Sequence, residues 1–122
     1  MSPTHEVLNQ PAPLVDRNLL VGNVSLRDAV HFNARELNLD ELTQLGERAG
    51  SHAMQEHARL ANVHTPRLLT HDRFGHRVDQ VEFHPSYHAL MDLAVSSGLH
   101  GAPWAEGAHA HVRRAAGFML FT

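Results

Sequence analysis

Two histidines, His84 and His88, stand four residues apart in Val81-Glu82-Phe83-His84-Pro85-Ser86-Tyr87-His88. On a helix that spacing puts two imidazoles on one face, within reach of one metal ion. Pro85 works against a chelating pair. A proline suits the first helical position, where its missing N–H has no partner to lose, so His84 falls at the cap outside the regular turn. The zinc-protease pattern wants a glutamate directly after the first histidine, and here that place is Pro85. A third ligand would have to come from His71 or His76. The ligand count is incomplete, so His84 and His88 are minor candidates for a metal site. The main reading is structural, with His84 capping a helix and His88 packing or bonding a carbonyl.

Other groups are weaker still. His109 and His111 precede Arg113 and Arg114 and could meet phosphate, but a solvated helix face explains them better. His52 and His57 are five apart, a poor chelating spacing, and read as surface residues. Asp72, Asp79 and Glu82 lie near His84 in sequence, yet nothing fixes them together as an acid–base pair. Ser25, Ser51, Ser86, Ser96 and Ser97 lack a nucleophile-elbow context. There is no glycine-rich phosphate loop. With no cysteine, disulfides, thiolate metal sites and a cysteine nucleophile are excluded. All ten basic residues are arginine, which removes a lysine Schiff base. Catalytic residues: none; cofactor-binding residues: none.

The elements that must carry these side chains are mostly helical. The 122 residues make one domain. With a net charge of −3, nothing draws the whole surface to nucleic acid or anionic lipid. No apolar run approaches the ~20 residues of a membrane span, and Met1 to Gln10 carry no secretory pattern. Residues 4 to 24, with Pro11 and Pro13, read as an ordered but irregular arm. Val7, Leu8, Leu14, Leu19, Leu20 and Val21 should dock on something, a neighbouring subunit included. Ser25 is the expected N-cap of a short helix to about Arg35. Asn38 with Glu41 suggests a capping box. Leu39, Leu42, Leu45, Ala49, Ala53, Leu60 and Ala61 then form an apolar stripe, interrupted at Gly46 and Gly50, on one long helix or two short ones.

Residues 67 to 83 change period and predict a short irregular β-hairpin turning at Asp72 to Gly75. Val81 and Phe83 are expected to point into the core. A helix after Pro85 should bury Tyr87, Leu90, Met91, Ala94 and Val95 and stop near Gly98. A last helical region from Pro103 should bury Val112, Ala115, Ala116, Met119 and Leu120. The apolar pattern runs to Thr122 without a stop signal, so the sequence predicts a piece of a larger protein, marginal and prone to self-association alone.

Asn9-Gln10-Pro11, Arg59-Leu60-Ala61-Asn62 and Glu82-Phe83-His84-Pro85-Ser86-Tyr87-His88 occur in an order that resembles the AidB-like branch of acyl-CoA dehydrogenases, flavoproteins of the response to DNA alkylation. The likeness runs from about Thr4 to Met119. It implies the family's N-terminal helical domain, with an arm over 1–24 and a C-terminally truncated helical domain over 25–122. In the intact protein, the resemblance implies a wall of the substrate cleft and a part in assembling a homotetramer. It also implies that FAD, the catalytic carboxylate and a basic DNA-contacting surface belong to later domains. The chain alone is then expected to be inactive and to bind no cofactor. A cytoplasmic location is expected, without membrane contact. The rival readings are a histidine-rich metal-binding module and a small DNA-interaction module using Arg113 and Arg114.

Overall fold

A computed structural model describes residues 4–121. In chain order it holds α1 (Val24–Asn33), α2 (Asp40–Ala49), α3 (His52–Val63), β1 (Arg67–His71), β2 (Arg77–Glu82), α4 (Pro85–Ser96), a single 3-10 turn (Ala102–Trp104) and α5 (Ala110–Phe121). The expected mostly helical architecture with one hairpin is what forms. Thr122, on which part of the terminal pattern rests, lies outside the described residues.

Two glycines explain how the arm joins the helices. A Cβ on Gly50 would stand 1.8 Å from the Arg17 carbonyl oxygen, and one on Gly46 would stand 2.8 Å from Asn18 Oδ1. The bare backbone of α2 therefore admits residues 17 to 20. Leu19 N–H donates to the Gly46 carbonyl at 3.1 Å, and Asn18 Nδ2 donates to the Thr43 carbonyl at 2.8 Å. This seats Leu20 in the core with Leu26, Val30, Leu42, Ala116 and Leu120. Burying each such leucine contributes roughly 1.5–3 kcal/mol. The arm thus docks at its C-terminal end, while Val7, Leu8, Leu14 and Val21 remain exposed.

Several local expectations are corrected. The cap of α1 is Asn23, not Ser25: Asn23 Oδ1 accepts from Leu26 N–H at 3.0 Å, and the helix ends at Asn33. Asn38 bonds Asp40 N–H at 2.7 Å, but it stands one residue before the cap position of α2, so the capping-box reading with Glu41 does not hold. The long stripe is two helices. They part at Gly50, and Ser51 caps α3 by accepting from Met54 N–H.

The hairpin pairs Arg67 with Glu82, Leu68 with Val81 and Leu69 with Gln80, then shifts register before His71 meets Arg77. Asp72 forms its turn, accepting from the N–H groups of Phe74 and His76, and Gly75 takes a φ of 86°. Asp79 also has a positive φ, 43°, where the pairing slips. Val81 does not point into the core. It is 50% exposed opposite Leu68 at 62%, so that cross-strand pair faces outward. Phe83 is half-buried and stacks on Tyr87.

The second core cluster joins Leu45, Ala49, Leu93 and Leu99. Ser86 and Leu93, rather than Met91 and Val95, mark the buried side of α4. Likewise α5 buries Ala110, Arg113, Ala116, Gly117 and Leu120, leaving Met119 exposed. The last helix begins at Ala110, and Pro103 belongs to the separate 3-10 turn.

Candidate functional site

The hairpin returns the chain so that the end of α3 meets the start of α4, which makes the two helices antiparallel. His64 stacks on His84 with ring centroids 4.7 Å apart, and His57 Nδ1 shares a 3.1 Å hydrogen bond with Ser86 Oγ. His84 has extended backbone and caps α4: its Nδ1 accepts from Ser86 N–H at 3.1 Å. His88 instead lies edge-on to Phe83 and Tyr87. One ring is therefore committed to the helix start and the other to an aromatic cluster. His71 bonds the Thr70 hydroxyl, and His76 bonds Asp72 at the hairpin turn. Among the described residues no three histidine or carboxylate side chains form a group that could hold a metal ion.

His57 and Ser86 have the residue types of a nucleophile and its base, and sequence spacing alone did not join them. His57 is half-buried, not the surface residue its spacing suggested. Ser86 is only 2% exposed, so a substrate carbonyl has no approach to its hydroxyl. The pair links α3 to α4 and performs no acyl transfer as it stands.

Arg113 and Arg114 are not displayed for phosphate. Arg113 is 8% exposed; its guanidinium donates to both Glu106 carboxylate oxygens at 2.7–3.2 Å and also faces Glu41 at 3.4 Å. Arg114 Nε donates to the Leu99 carbonyl at 2.6 Å, and its guanidinium lies over the Phe118 ring. Sequence reading missed this use because Glu41, Leu99 and Glu106 are brought to the arginines only by the fold.

Two of the clefts that border α5 lie beside the residues just described. One, of about 320 Å³, lies among α2, the end of α4 and α5, with Glu41, Arg48, Glu106 and Arg113 on its walls. The other, about 350 Å³, is an apolar groove where Leu26 and Val30 of α1 face Val112, Ala116 and Met119 of α5. Neither fits FAD by itself. In the first, Glu41 and Glu106 would repel a pyrophosphate and already neutralise Arg113. The second offers few polar groups to orient a ring system.

The architecture is the helical N-terminal part of the acyl-CoA dehydrogenase fold. Caenorhabditis elegans ACDH-11, solved in complex with C11-CoA, superposes with a TM-score of 0.72 at 21% identity, over 99% of this chain and 21% of that one. The apo form of Bd2924 superposes with a TM-score of 0.75 at 24% identity, over 86% of this chain and 22% of that one. Residues 9–122 match the family described as the adaptive response protein AidB N-terminal domain, and the chain belongs to that family. It is 41% identical over 119 residues to the Escherichia coli protein named "Putative acyl-CoA dehydrogenase AidB". That alignment covers 96% of this chain and 22% of the relative, so the chain spans about a fifth of the relative's length.

Proposed function

We propose that this chain is the N-terminal helical domain of an AidB-type acyl-CoA dehydrogenase flavoprotein linked to the DNA alkylation response. Its share of the function is scaffolding. In the intact protein the helical domain forms one wall of the substrate cleft, and the arm contributes to a homotetramer. The division of labour follows 1–24 as arm and 25–122 as helical domain. FAD, the base that takes the α-proton and the DNA-contacting surface belong to the parts of the relative that this chain does not match.

The observation that carries this reading is the 41% identity to Escherichia coli AidB along nearly the whole chain. When bound, FAD would accept a hydride from an acyl thioester. This chain's own residues would hold the neighbouring wall rigid and exclude water.

A domain exchange tests the proposal. The matching segment of Escherichia coli AidB is replaced by this chain, and flavin content and assembly are measured. The expected product is a tetramer carrying FAD at the parent's stoichiometry. A folded chimera lacking flavin and tetramer would contradict the scaffolding role.

A further inference from the structure

We infer that residues 98–109 form a strap closed by an ionic clasp, and that Arg113 can exchange one carboxylate for another so that the strap opens without stranding a buried charge. The strap crosses one end of α5 next to the 320 Å³ cleft. Its near end is fixed by two buried residues, Leu99 and Pro103. Its far end is tied by Glu106 to Arg113.

The geometry gives Arg113 two partners from different elements, Glu41 at Nη1 and Glu106 at Nη2. Glu106 comes from the strap, 2.7 Å away, with its side chain 41% exposed. Glu41 comes from α2, 3.4 Å away, with its side chain 76% exposed. The guanidinium is itself nearly buried and always charged, so losing its only carboxylate would be strongly destabilising. Glu41 removes that obstacle. A short inward rotation of an exposed, flexible side chain can replace Glu106 as it leaves. Gly98, with a φ of 72°, packs its bare backbone beside the guanidinium: a Cβ built there would stand 3.6 Å from Arg113 Nη2 and 3.1 Å from Ala102 Cβ.

Arg114 marks the neighbouring part of the strap. It donates to the Leu99 carbonyl and lies 5.9 Å from the Trp104 ring, which is also edge-on to His111. The amides of Trp104, Ala105 and Glu106 bond back only to Gly101 and Ala102 within the strap. Their protection therefore reports the order of the strap's own turn, which the clasp to Arg113 holds in place, separately from the amides of α5. An open strap widens the cleft and leaves Arg113 paired across α2 and α5.

Amide exchange on the full 122-residue chain and its variants tests the exchange. Glu106→Gln is expected to lower protection at 104–106 at least tenfold, with α5 amides unchanged. Glu41→Gln is expected to leave both regions unchanged. The double variant should lose protection in α5 and melt lower than the sum of the two single effects. Unchanged strap protection in Glu106→Gln would overturn the clasp. An additive double variant would overturn the exchange. A Glu106→Gln chain that cannot fold, beside a folded Glu41→Gln chain, would also overturn the exchange, since Glu41 would then be no substitute.

Discussion

At the scale of single residues, the glycines and histidines of this chain do mechanical work. Gly50, directly after α2, is one of the points where the arm docks, and any side chain there would meet the Arg17 carbonyl. Gly50→Ala is expected to cost at least about 2 kcal/mol and to release the arm, because overpacked backbone contacts relax poorly. Gly107→Ala, where a Cβ meets nothing within 4 Å, should stay within about 0.5 kcal/mol of the parent. Chemical denaturation of the two variants checks the contrast. His84→Ala should cost about 1 kcal/mol, the usual worth of an N-cap. It should leave any zinc affinity unchanged, as isothermal titration would show. Both features were legible in the sequence, His84 together with its cap role and the glycines without their purpose. Gly46 and Gly50 looked like interruptions of a stripe, because the segment packed on them lies about thirty residues earlier in the chain.

At the scale of elements, what was legible was what local chemistry decides. Pro85 with His84 fixed the start of α4, and Asp72 with Gly75 fixed the hairpin turn. Burial was less legible, since it depends on partners far along the chain. Val81 faces outward because neither hairpin strand is covered by a helix, and Leu93 replaces Met91 as the buried point of α4 because Leu45 and Leu99 meet it there. The α1 cap was misplaced by two residues because Ser25 and Asn23 have equal capping ability. The turn Leu20–Asn23 decides between them, with Asn23 N–H donating to the Leu20 carbonyl.

The hairpin turn also carries a pH dependence. Asp72 is held below the ordinary carboxylate range, chiefly by the His76 backbone N–H, with the Phe74 N–H and the His76 ring adding to it. A carboxylate whose folded value is depressed stabilises the turn above its unfolded value, and that contribution is lost as pH falls through the folded one. The turn should therefore loosen below about pH 4. Amide shifts of Phe74 and His76 that move together on acidification, and stay still in Asp72→Asn, are the expected result.

At the scale of the whole molecule, the chain is a mostly helical domain in which His57, His84, Arg113 and Arg114 are tied into internal contacts. His57 holds Ser86, His84 starts a helix, Arg113 joins α5 to the strap, and Arg114 reaches the Leu99 carbonyl. The family was legible from ordered phrases of sequence, whereas the ties among these residues required the fold. No helix among the described residues is long and apolar enough to cross a membrane. The purified chain, mixed with FAD, an acyl-CoA and an artificial electron acceptor, gives the most direct test of the claim that its part is support and not catalysis. No acceptor reduction above the protein-free rate is expected. Sustained, acyl-CoA-dependent reduction by the 122 residues alone would contradict it.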